Sequence, residues 1–183
     1  MIECLRSNLL MYWNDCIPRF PSYIFLLMMC VACVGAVTLI SWKGLRRGIE
    51  LMGRLMLTEA VFVIYYSTLI YRQTNSVMTY NLHPFWSYRA IWNGTSFLIA
   101  ENVMNVLAFI PIGLLIGVGF PKWSWCRAIG FGCLISVSIE FLQYFFRRGF
   151  SEFDDVFHNT FGCVIGYGIV ELCSMTYLTL RTK

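Results

Sequence analysis

The sequence predicts an all-α, polytopic membrane bundle of about five transmembrane helices, and three observations predict it. Of 183 residues, 58% are hydrophobic and 13% charged, whereas soluble domains carry about 25% charged residues. A soluble fold with a mean hydropathy of +0.64 could not cover its own surface, so lipid must supply part of the solvent. The apolar residues also fall into runs close to the roughly 20 needed to cross about 30 Å of hydrocarbon. Lys and Arg, finally, gather in the short connections between those runs. The length suits one membrane domain over residues 1–183.

Residues 1–21 are too polar for a cleavable signal peptide, and Met1 to Phe20 suit a short amphipathic segment lying along the interface. The first span covers about 22–42 and carries no charge. The second covers about 55–71, with Glu59 one turn inside its start, and a polar, aromatic loop follows over 72–96. The third covers about 98–120 and contains Pro111, which removes a backbone hydrogen bond and predicts a kink. The fourth, about 128–146, carries Glu140 and Gln143. The fifth, about 156–178, has His158 and Asn159 near its start and Glu171 near its end.

Orientation follows from the short loops. Lys43, Arg46, Arg47, Arg54, Lys122, Arg127, Arg181 and Lys183 share one side, with Trp123 and Trp125 as an aromatic belt. Tyr65, Tyr66 and Tyr71 suit the other interface. This arrangement places the N-terminus outside and the C-terminus inside. It also accounts for the net charge of +4 without a nucleic-acid partner. Most of the eight cysteines lie in apolar stretches, where Cys behaves as a small hydrophobe. Cys30 and Cys33 have CxxC spacing in mid-span, outside the setting of a redox motif. Cys4 and Cys16 could pair if the N-terminus is extracytoplasmic.

Orientation in turn predicts where the polar residues meet. Asn102 and Asn105 open the third span from outside, Glu140, Gln143 and Arg147 occupy the outer half of the fourth, and Asp155 and Asn159 open the fifth. Glu140, Gln143, Tyr144 and Arg147 follow i, i+3, i+4, i+7 and share a helical face. A carboxylate at the bilayer centre costs about 2.5–3.5 kcal/mol on insertion scales, so Glu140 should face other helices. The asparagines alone are explained as interhelical glue; Glu140 is not, because glue does not require an ionisable group. Gly113/Gly117 and Gly162/Gly166 are GxxxG pairs that let helix backbones approach. Glu152, Asp154 and Asp155 offer hard oxygen ligands, but such a run more often caps a helix start. No metal or cofactor is expected.

Four segments then become recognisable: Asn81-Leu-His-Pro84-Phe85, Glu101 to Gly113, Glu140-Phe-Leu-Gln143, and Asp155 to Gly162 with Gly166. In order and spacing, over about Asn81 to Tyr167, the chain resembles the VanZ-like family. The resemblance implies a multi-pass protein of the bacterial plasma membrane, associated with lowered susceptibility to teicoplanin-type glycopeptides. Many members carry an Arg just before the acidic run. Here Arg147 and Arg148 both compete for that place.

The convergence of Asn81, Asn102, Asn105, Glu140, Gln143, Arg147, Asp155 and Asn159 points to a polar pocket at the outer leaflet. Its expected partners are membrane lipids, a lipid-linked cell-wall precursor or the glycopeptide itself, bound without catalysis. A second reading is a membrane enzyme with Glu140 as general base. Against it, no Ser/His/Asp set, HExxH or Cys/His pair stands at useful spacing. A third is a small transporter built on the Pro111-broken span. Five spans are few for alternating access unless the chain oligomerises.

Overall fold

A computed structural model describes residues 44–181 and most of 30–42, with side chains through residue 175. The predicted segment 1–21, most of the first span and the residues Cys4, Cys16 and Cys33 lie outside the described residues. Those described between 30 and 42 are helical. Helix α1 (Leu45–Tyr65) then runs into a π-helical turn, Tyr66–Ile70. A two-residue strand β1 (Tyr80–Asn81), a short helix α2 (Trp86–Trp92) and two long helices, α3 (Phe97–Gly119) and α4 (Trp125–Phe146), follow. Strand β2 (Ser151–Glu152) leads into α5 (Phe153–Arg181).

The helices α3, α4 and the part of α5 over Phe153–Met175 are long and apolar enough to cross a membrane. They match the third, fourth and fifth predicted spans. The second predicted span is the latter half of a longer helix. The basic stretch ahead of Leu55 winds into α1 because Arg46, Glu50 and Arg54 stand four residues apart and pair, Arg46 with Glu50 at 3.5 Å and Arg54 with Glu50 at 4.0 Å. The expected polar loop 72–96 likewise contains β1 and α2. Pro111 lies within α3, which continues on both sides of it.

Small residues set the packing. A Cβ on Gly113 would collide with Cys163 O and stand 2.7 Å from Tyr167 N, and one on Gly166 would collide with Ile110 O. Gly162 meets Val106 O, and Gly117 meets the side chain of Val170. Residue numbers rise together along both helices, so α3 and α5 lie parallel, backbone against backbone, through reciprocal GxxxG pairs. Helix α4 runs antiparallel to α5: Gly132 faces Cys163, and Asn159 Nδ2 donates to Ser136 Oγ at 2.9 Å. Helix α1 closes the other side of α3. Gly53 abuts the backbone of Gly119, whose carbonyl accepts from Arg54 Nε at 2.8 Å, a basic cap on a helix C-terminus. Phe109, Ile112, Ile116, Ile139, Cys163 and Tyr167 fill the centre. Leu134, Val137 and Phe141 on α4 and Phe153, Phe157 and Phe161 on α5 are exposed. Apolar stripes of this extent mark surfaces that pack against protein or membrane.

Candidate functional site

The parallel pairing of α3 and α5 and the antiparallel run of α4 bring the start of α3, the end of α4 and the start of α5 to one end of the bundle. The segment between α1 and α3 folds over that end. Strands β1 and β2 pair in parallel, Tyr80 with Ser151 and Asn81 with Glu152. Asn75 N–H donates to Arg147 O at 2.7 Å, and Thr79 Oγ1 to Gly149 O at 2.8 Å. The loop is thus stitched to the connection between α4 and α5.

Asp154 fastens α2. Its Oδ1 accepts Phe85 N–H at 2.6 Å, and its Oδ2 accepts Ser87 N–H at 2.9 Å and Ser87 Oγ–H at 2.6 Å. The acidic run therefore caps a helix, as such runs do, but the helix is one contributed from 67 residues away, while Asp154 and Asp155 themselves lie in the first turn of α5. Phe85 adopts φ 58°, a conformation that costs a non-glycine residue on the order of 1–3 kcal/mol. The Asp154 carboxylate and the edge contact of Phe85 with Phe157, centroids 5.6 Å apart, hold it there. Asn102 Nδ2 extends the network to Ser87 Oγ at 3.2 Å.

Glu140 is 7% exposed, turned inward as its position in an apolar helix requires. Its Oε2 accepts the backbone N–H of Glu152 at 2.9 Å. Glu152 Oε2 in turn accepts Trp86 Nε1–H at 2.8 Å. Beside them Asn105 Nδ2 donates to Asp155 Oδ1 at 2.6 Å. Glu101 interacts electrostatically with Asp155 and Glu152, and Arg72 is the cation facing Glu140 and Asp155. Burial first, and then the neighbouring Asp155, push the Glu152 carboxyl up to about 8.

Of the residues predicted to converge, Asn102, Asn105, Glu140 and Asp155 join this network, and Asn159 lies just below it on Ser136. Gln143 is buried beside Glu140 on α4, with Nε2 3.5 Å from Thr68 O. Asn81 takes part through its strand backbone, while its side chain accepts His83 N–H at 3.0 Å in a local turn. Arg147 does not join. It is exposed, with φ 57°, and Arg148 N–H donates to Gln143 O while Arg147 N–H donates to Tyr144 O, the two bonds of a Schellman stop. Arg148 is the inward arginine. Its Nη1 donates to the carbonyls of Leu69, Ile70 and Arg72 at 2.6, 2.7 and 3.1 Å. His158 is buried and 2.8 Å from Tyr88 OH through Nε2. Trp86, Ser87, Ser136 and Arg72 carried no signal in the sequence, because their partners lie far along the chain.

Glu140 and Glu152 also line a groove of about 540 Å³ between α4 and α5, whose other walls include Tyr80, Val137, Phe141 and Val156. On the opposite flank of α5 a second groove, of about 630 Å³, is lined by Asn102, His158 and Tyr88 among apolar residues of α3 and α5. Each is an apolar trough with a few polar groups in its lining, the usual make-up of a small-molecule site. Residues 55–174 match the family model described as VanZ/LLP1. The chain is 31% identical over 130 residues to Protein VanZ of Enterococcus faecium, an alignment covering 66% of this chain and 77% of that relative. No solved structure matches it.

Proposed function

Because this chain belongs to the VanZ/LLP1 family, we propose that it lowers susceptibility to teicoplanin-type glycopeptides by engaging a lipid, or a lipid-linked cell-wall precursor, at the outer leaflet of the bacterial plasma membrane. One observation carries this reading: the buried Glu140–Glu152 pair opens into an apolar groove on the lipid-facing flank of α4 and α5. A carboxylate buried among spanning helices marks a functional site by default, and an apolar trough beside it offers room for a chain. The proposed topology has five spans, with the N-terminus outside and the C-terminus inside. It places the Glu140 end outward and is supported by the basic residues at the opposite end of the bundle. The α2 segment then lies over the site like a roof at headgroup level.

The experiment is expression of the wild-type chain, Glu140→Gln and Asn105→Ala at matched membrane levels in a teicoplanin-susceptible Gram-positive host. Loss of protection by both variants is expected. Full protection by both would remove the pocket from the mechanism.

A further inference from the structure

The groove between α4 and α5 has acidic groups as well as a shape. Its carboxyl groups are Glu140 and Glu152, and among the described residues neither Lys nor Arg lines it. Arg72, which faces Glu140 and Asp155, is not part of its wall. Tyr80 and Tyr144 line it as an edge-to-face pair, with centroids 5.4 Å apart. From these features we infer that the groove selects a membrane lipid whose headgroup carries an ammonium, seated against Glu140 and Glu152. This rests on the reading of the groove as a lipid site and adds the chemistry of its occupant.

Charge complementarity decides between headgroups. A phosphate or other anion brought to Glu140 and Glu152 meets two carboxyl groups whose electrostatic neighbours include Asp154, Asp155 and Glu101. An ammonium meets two acceptors for charge-assisted hydrogen bonds beside two phenol rings, a side-chain type whose π-system attracts cations. The apolar walls at Val137, Phe141 and Val156 accept the chain.

The ammonium also supplies what Glu152 lacks. Glu152 is faced by the Trp86 indole from α2, Glu101 from α3, Glu140 from α4, and Asp154 and Asp155 from α5. Among the described residues these neighbours are acidic or neutral, with Arg72 facing Glu140 and Asp155 beside them, and burial with them pushes the Glu152 carboxyl up to about 8. An arriving cation favours the ionised form, so binding releases a proton to solvent and strengthens as pH rises.

The test uses the full chain in phosphatidylglycerol nanodiscs doped with equal amounts of phosphatidylethanolamine and its N-acetyl derivative, all three lipids with matched chains. Lipids retained on the ejected protein are counted by native mass spectrometry. Wild type should retain phosphatidylethanolamine on the order of tenfold over either other lipid, the worth of one charge-assisted hydrogen bond. That preference should fall to near unity in Glu140→Gln and in Glu152→Gln. The latter keeps an acceptor for Trp86 and so keeps the fold testable. Equal retention of all three lipids by wild type would overturn the ammonium selectivity and leave the lipid site standing. Retention of none would overturn both. A preference that survives in both variants would overturn the assignment to this groove.

Discussion

The backbone N–H of Glu152 donates to the buried carboxylate of Glu140 at 2.9 Å, tying the end of α4 to the strand that starts α5. Trp86, held by the side chain of the same Glu152 at 2.8 Å, extends the tie to the segment above. Three stretches of chain, the end of α4, the start of α5 and α2, thereby meet at two carboxyl groups that line one apolar groove.

The roof hangs on Asp154. Asp154→Ala removes the acceptor for Phe85 N–H, Ser87 N–H and Ser87 Oγ–H at once. The expected loss is about 2 kcal/mol or more, the upper range for a helix cap. Thermal unfolding in detergent measures it. Limited proteolysis should show cleavage between residues 72 and 96 appearing in the variant first.

The two arginines should behave oppositely. Arg147 occupies a left-handed helix stop, so Arg147→Gly relieves strain and should stabilise by about 0.5 kcal/mol or leave stability unchanged. Arg148→Ala strips three carbonyls of their donor and should lower the melting temperature by several degrees. Equal effects from the two substitutions would contradict this division.

Glycines on the α3–α5 seam should resist enlargement. Gly113→Ala and Gly166→Ala drive a methyl into a facing backbone carbonyl and should each cost about 1–3 kcal/mol. Gly130→Ala meets nothing within 4 Å and should gain about 0.5–1 kcal/mol from helix propensity. Melting curves of the three variants in one detergent make the comparison.

Glu152 gives stability a pH dependence. Its carboxyl stays protonated to about 8 when folded, but to only about 4.3 in the unfolded chain. Between those values the folded state binds more protons, so its stability falls as pH rises. Glu152→Gln removes that contribution. The melting temperature of the variant relative to wild type should therefore climb from pH 5 to pH 8, and a constant difference would show that the carboxyl does not titrate as placed.

Topology is open to a reporter test. Alkaline phosphatase fused after Asn93 should be active, and fused after Lys122 it should be inactive. The reverse pattern would put the Glu140 end in the cytoplasm.

Much of this site is legible in the sequence for a physical reason. A carboxylate in an apolar helix must turn inward, so Glu140 declares itself, and helical spacing carries Gln143 with it. Asn102, Asn105, Asp155 and Asn159 stand in the first turns of their helices, which the packing brings to one end of the bundle. Reciprocal GxxxG pairs likewise announce the α3–α5 seam. Arg147 misleads because a Schellman stop is usually marked by glycine, and here the glycine, Gly149, comes two residues later. Trp86 and Ser87 are silent because α2 is short and its cap, Asp154, arrives from a distant segment. The basic stretch before Leu55 reads as a loop by composition, yet its i, i+4 ion pairs wind it into α1.

The most direct measurement is an electron-microscopy map of the chain in nanodiscs containing phosphatidylethanolamine. Chain density along Val137, Phe141 and Val156, ending in headgroup density within hydrogen-bond reach of Glu140 and Glu152, is the expected result. A groove closed by protein side chains, or lipid density that passes these carboxylates at a distance, would contradict it.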